Sequence, residues 1–290
     1  MIVVVVFLLV KNIFGFGKTL TEEQACRDSV NAQASQHLLR GLDITAKIKC
    51  PTLYTTIQEQ DEERIKAALA EQMRSCWSKF WEGKKNLFSE SDVFCAICSV
   101  TDFKTDKPVK GFSKYLMDTI VPGKDISYAD YLQGYSTKKT EEIKNRLTVE
   151  QLKSLEDETL DTKNKYAVVF VYARGEDVIE DYVRHLAFRS TSGQVSGVVS
   201  GTMGVAAGVT TAAALIFYTS TPVGWVAAGA TAAAIATYAG TEFITSYFRE
   251  QDIQWMSMVV LREYTKEGMD SIQCRTLPVA SDKVAENENT

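Results

Sequence analysis

Between Arg189 and Glu242 the chain contains no Asp, Glu, Lys or Arg, although 24% of all its residues are charged. A stretch of that length must find apolar surroundings, either a protein core or a bilayer. Pro222 and Gly224 interrupt it near the middle, and each arm of about 25 residues is long enough, at a rise of about 1.5 Å per residue, to cross a hydrocarbon core. The sequence therefore predicts a Gly/Ala-rich transmembrane helical hairpin over 190–249. Its small residues recur at spacings that line one helix face: Gly193, Gly197, Gly201, Gly204 and Gly208 in the first arm, and Gly224, Ala228, Ala232, Ala236 and Gly240 in the second. In lipid, helices associate through such close-packing faces. Phe217, Tyr218 and Trp225 lie at the tip, where amphipathic rings favour an interface. Three other readings compete with this one: a buried soluble helical hairpin, a poorly ordered Gly-rich segment, and conditional insertion of the kind made by pore-forming colicin hairpins, which this stretch resembles in composition only.

Two crossings would leave the flanking segments on one side of the membrane. The six cysteines, Cys26, Cys50, Cys76, Cys95, Cys98 and Cys274, all lie outside the uncharged stretch, an even set that suits three disulfides in an oxidising compartment. Against an extracytoplasmic placement stand Arg184, Arg189 and Arg249, which flank the hairpin and by the positive-inside rule favour the cytoplasm. Cys95 and Cys98 form a CxxC pair, but they fall in the apolar run "DVFCAICSVTDF". In a strand, side chains three residues apart project from opposite faces, so each should seek a different partner. A thioredoxin-like motif would sit at a helix start, and a zinc site would need a second cysteine pair.

Along the rest of the chain the periodicity separates elements. Residues 1–18 are apolar with Lys11 as interruption, a signal or membrane anchor. "TEEQ" from Thr21 has capping-box spacing, yet Val30, Ala32 and Ala34, then Ile44, Ala46 and Ile48, alternate with polar residues and predict a β-hairpin over 28–50. From Thr56 to Gly83 the spacing of Ile65, Leu69, Met73, Cys76, Trp77 and Phe80 predicts a long amphipathic helix with Cys76 facing inward. Residues 92–103 read as a buried strand, 111–135 as short helices around Pro122 and Gly123, and 137–165 as a charged linker or exposed helix with a capping box at Thr148. Strong strands follow at 166–173 and 255–264, a weaker one at 269–279, and helical spacing at Val178, Ile179, Tyr182, Val183 and Leu186. The domain reading is a Cys-rich α+β domain over 19–136, closed by 166–189 and 250–280 as paired strands and a helix, with 281–290 as a disordered tail. The fold class expected is α+β: a disulfide-stapled extracytoplasmic domain with an antiparallel sheet and the long amphipathic helix, plus the hairpin.

"CWSKFWEGKKNLF" followed by "FCAICSV" resembles a set of uncharacterised membrane-anchored proteins of small-genome archaea that share a Cys-Trp stretch, a GK and a CxxC. The resemblance covers about residues 26–110, carries no assigned activity, and implies a prokaryotic envelope.

Function is bounded more than it is specified. Within 290 residues, 32 basic against 37 acidic residues and a pI near 5.3 provide no overall field for nucleic acid. Only His37 and His185 exist, and no GxSxG, HExxH or P-loop pattern appears. The carboxylate pairs Glu62 and Glu63, and Asp157 and Glu158, read as solvated helix charges. No catalytic residue, cofactor or metal ligand is assigned. The expected role is a structural or interaction protein of the cell envelope, whose partners are the lipid bilayer, a second copy through the hairpin face, and other proteins. The alternatives are a pore or transport element built from the glycine-zipper hairpin, although no charged residue within its arms marks an ion path, and an enzyme without a recognisable motif.

Overall fold

The computed structural model describes residues 22–35, 48–132, 153, 156–157, 159–179, 181–182, 216–218, 225–228, 255–270, 272–273 and 275–276. Its centre is a mixed sheet built on three long strands, β2 (Val93–Phe103), β5 (Tyr166–Arg174) and β8 (Trp255–Glu263). β5 lies between the other two and is antiparallel to both, with Phe170 opposite Ala96 on one side and Val259 on the other. All three strands are apolar runs without alternation, and both faces of the sheet are buried, as such runs require. One outer edge of β2 is shared by β1 (Leu53–Ile57) and β9 (Arg275–Thr276), both parallel to it. On the far side, β7 (Trp225–Ala228) joins β8 in parallel and β6 (Ile216–Tyr218) pairs antiparallel with β7. β3 (Val109–Lys110) and β4 (Thr159–Leu160) form a separate ribbon.

Helix α2 (Glu62–Lys79) covers one face of the sheet. Asp61 caps it by accepting the Arg64 N–H at 3.0 Å, and Glu62 and Glu63 in its first turn and Lys79 in its last complement the helix dipole. Ile65, Leu69, Met73, Cys76 and Trp77 are buried against Phe94, Ala96, Phe170 and Val259. An irregularity in β2 between Ile97 and Ser99 adds one residue relative to β5. Such a bulge changes which alternate residues face inward. Phe94, Ala96 and Cys98 face α2 before it, and Ser99 and Thr101 face α2 after it, both donating to Gln72 Oε1 at 2.7 and 2.6 Å. The opposite face packs Val169, Val171, Met258 and Val260 against Ile179, Tyr182 and Ile272. Short helices α3 (Phe112–Asp118) and α4 (Tyr128–Leu132) lean on α2.

Among the described residues no cysteine is free. Cys26 bonds Cys50 and Cys76 bonds Cys98. Cys95 is disulfide-bonded too, and Cys274, the sixth cysteine of the sequence, lies outside the described residues. The CxxC residues do take different partners, because Cys98 belongs to the α2 face and Cys95 to the other.

Several expectations are corrected. The β-hairpin over 28–50 gives way to a helix, α1, over residues 22–35. Cys26 and Val30, four residues apart, are its fully buried positions, and the capping-box signature at Thr21 outweighs a short alternation whose small Ala residues commit to neither period. The helix predicted from Thr56 starts later, since Leu53–Ile57 pairs with Ser99–Phe103 as a strand and Asp61 starts the helix. In the region of the weaker strand at 269–279, Lys266–Asp270 is helical and, among the described residues, Arg275–Thr276 pairs with β2. Part of the charged segment 137–165 belongs to the fold through β4.

The largest correction concerns the uncharged stretch. Its described parts are strands of the central sheet, Ala228 included, not helical arms. Aromatic and β-branched residues around Phe217, Tyr218, Trp225 and Val226 carry strand propensity. Among the described residues no helix is long and apolar enough to cross a membrane. Gly193, Gly197, Gly201, Gly204, Gly208, Gly224, Ala232, Ala236 and Gly240 lie outside the described residues, as do residues 1–18 and 281–290.

Candidate functional site

Among the described residues a cleft with polar walls opens beside the Cys26–Cys50 cross-link. The Cys26–Cys50 bond ties α1 to the segment entering β1, and the Cys76–Cys98 bond ties the second half of α2 to β2. α1 is also held to α2 directly. Arg27 Nη1 donates to Ser78 Oγ at 2.5 Å, and the Trp81 indole N–H donates to the Arg27 carbonyl at 2.8 Å. The Lys49 N–H donates to Ser29 Oγ at 2.8 Å, fixing the third wall. Between these walls lies a cavity of about 460 Å³, within the size range of small-molecule sites.

Charge in the cleft is divided by wall. α1 contributes Glu22 and Glu23, α2 contributes Ser75 and Lys79, and the β1 approach contributes Lys49 and the Thr52 segment. Burial pulls the Lys79 ammonium below the usual lysine range, against the opposing attraction of Glu23 and then Glu22. Among the described residues the Lys79 ammonium makes no hydrogen bond and no ion pair. Ala25, Pro51 and Leu53 supply an apolar side.

Beside the cleft, α2 ends in an unusual turn. Trp81, Glu82 and Gly83 take left-handed φ values of 55°, 55° and 68° in succession. That conformation costs a non-glycine residue about 1–2 kcal/mol. A Cβ at Gly83 would stand 2.6 Å from Trp77 Cη2 and 2.9 Å from the Ser257 Cβ, so the third position admits only glycine. The Trp255 indole N–H donates to the Gly83 carbonyl at 3.3 Å from below. The turn displays Trp81 with the Arg27 guanidinium 4.7 Å and the Lys85 ammonium 4.9 Å from its ring centroid. Glu82 accepts from the Tyr131 hydroxyl at 3.1 Å and pairs with Lys84. Burial alone would raise the Glu82 pKa, but Lys84 and the Tyr131 hydroxyl more than offset it and hold the carboxylate below its ordinary range. Burial, with the neighbouring Glu82 charge, drives the Tyr131 phenol upward.

Of the residues singled out from sequence, Cys26 lines the cleft and is bonded to Cys50, whereas Cys76 is bonded to Cys98 between α2 and the sheet. Glu62 and Glu63 do not form an acid-base pair: Lys66 binds both, at 3.1 and 2.9 Å, and Glu62 also accepts the Lys110 N–H at 2.7 Å. His37, His185 and Glu158 lie outside the described residues. Among the described residues no three His, Cys, Asp or Glu side chains are grouped as metal ligands. Lys49, Ser75 and Lys79 were not legible as a group, because the contacts that unite them are long-range. Neither a protein-family model, nor a curated protein, nor a solved structure matches the chain.

Proposed function

We propose that this chain is an extracytoplasmic, disulfide-stapled domain of a cell-envelope protein that acts by binding rather than by catalysis. The observation that carries the reading is the pair of staples, Cys26–Cys50 beside the cleft and Cys76–Cys98 between α2 and the sheet. Such bonds persist in oxidising compartments and are reduced in a cytosol. The cleft offers charge and hydroxyls without a nucleophile held against a base, which favours recognition over turnover. Attachment to the bilayer falls to residues 1–18 and to parts of 190–249 beyond β6 and β7, where the small-residue spacing also suits contact with a second copy.

Labelling intact cells with a membrane-impermeant maleimide, with and without prior reduction, tests this. Labelling only after reduction is the expected result. Free thiols reached only after lysis would place the domain in the cytoplasm and overturn the reading. The absence of charge from 190–241 favours one rival, a membrane-active protein; dye release from liposomes at low protein concentration would support that rival.

A further inference from the structure

The cleft between α1, α2 and the entry to β1 holds charges of both signs that do not meet. Lys79 is partly buried on the α2 wall, and Glu22 and Glu23 stand on the α1 wall close enough to act on it through space, yet no ion pair joins them. A half-buried ammonium left without a partner costs stability unless something occupies the gap. With Lys49 included, the walls carry two cations and two carboxylates. A simple anion would satisfy the lysines and face two like charges, and a simple cation would do the reverse. A ligand carrying a carboxylate and an ammonium a few atoms apart satisfies both walls. Pro51 and Leu53 then offer apolar surface to a side chain.

We propose that this cleft is a binding site for a free α-amino acid, its carboxylate on Lys79 and Lys49 and its ammonium toward Glu22 and Glu23. The inference rests on the binding reading given above and names the ligand class of that site. The Cys26–Cys50 bond ties the α1 wall to the segment entering β1, and the Arg27 hydrogen bond to Ser78 ties α1 to α2, which limits the ordering lost on binding.

Isothermal titration of the oxidised full-length protein with each standard L-amino acid tests the inference, followed by the amide and the N-acetyl derivative of the best one. The expected result is saturable binding that weakens about 10- to 100-fold when either charge of the ligand is removed, the range for one charge-assisted contact. Lys79→Met weakens it to the same degree, whereas Lys84→Met, exposed and outside the cleft, leaves it unchanged. Absence of binding by every amino acid, or binding indifferent to amidation, overturns the proposal. If Lys79→Met fails to fold, the amide and N-acetyl comparisons on the unaltered protein still decide. The titration and the maleimide labelling fail independently: a cytoplasmic domain that binds leucine refutes only the compartment, and an envelope domain that binds no amino acid refutes only the ligand.

Discussion

The two faces of the central sheet are built from the same three strands and differ in kind. On the α2 face β5 places Tyr166, Val168, Phe170 and Tyr172, and β8 places Trp255, Val259 and Leu261. On the other face the alternate residues are Ala167, Val169, Val171 and Ala173, with Met256, Met258 and Val260. The first face is aromatic and tied to polar groups: the Trp255 indole reaches Gly83, and the Tyr172 hydroxyl receives the Leu87 N–H at 3.2 Å and donates to Asn86 at 2.9 Å. The second face is aliphatic and small, with the buried Arg262 near its edge. Rings with polar handles specify one arrangement of their neighbours, whereas small aliphatic groups accept many. The cleft and the left-handed turn both sit on the side that is specified.

Neighbouring residues of β5 test this contrast most directly. Phe170 is stacked on Phe80 with ring centroids 3.9 Å apart and lies 6.2 Å from Trp77. Phe170→Ala should cost about 3–5 kcal/mol of unfolding free energy. Val169→Ala, one residue earlier and facing the other way, should cost about 2 kcal/mol, from two lost carbons and a small cavity. Denaturant midpoints of the oxidised protein measure both. Equal losses would mean that the two faces are equally well packed and that the comparison is wrong.

Gly83→Ala carries the contrast from packing to backbone. The added Cβ meets Trp77 and Ser257, and the residue must keep φ near +68°. Strain in the left-handed region and overpacking together predict a loss of about 2–4 kcal/mol. The fluorescence of Trp77 should shift with it, since its ring stands 2.6 Å from the added Cβ and must give way. Gly123 provides the control, because it also has a positive φ of +75° but nothing within 4 Å of a built Cβ. Gly123→Ala should therefore lose only the backbone part, and an equal loss at both sites would remove the steric argument for Gly83.

What the sequence made legible follows the same division. The row Ile65, Leu69, Met73, Cys76 and Trp77 declared its face because large residues recur at helical spacing, and β2, β5 and β8 declared themselves as apolar runs too short for buried helices. α1 was hidden because Ala32 and Ala34 pack equally well in either period, and its helix is settled by Cys26 and Val30 meeting the core. β1 was hidden because "LYTTI" is exposed along most of its length and gains its structure from pairing with β2. The strands inside the uncharged stretch were obscured by Gly and Ala neighbours that dominate any hydropathy window. The cleft had no local signature at all, since Lys49 and Lys79 come together only through a disulfide and a helix packing.

The smallest expected effect is electrostatic and belongs to the turn beside the cleft. Glu82 is held below the ordinary carboxylate range, although burial opposes this, by Lys84 and by the Tyr131 hydroxyl. Because its folded pKa lies under its unfolded one, the unfolded chain takes up the proton first on acidification. The stabilisation is therefore complete above the unfolded carboxylate pKa and is lost as pH falls through the depressed folded value. Glu82→Gln should lower the melting temperature at neutral pH by the equivalent of no more than about 1 kcal/mol, the group being half-open to solvent. The gap between variant and parent should close in acid. A gap that persists unchanged at low pH would mean that Glu82 holds the turn by its shape and neutral hydrogen bonding, and that the charge on the specified face does not contribute to its order.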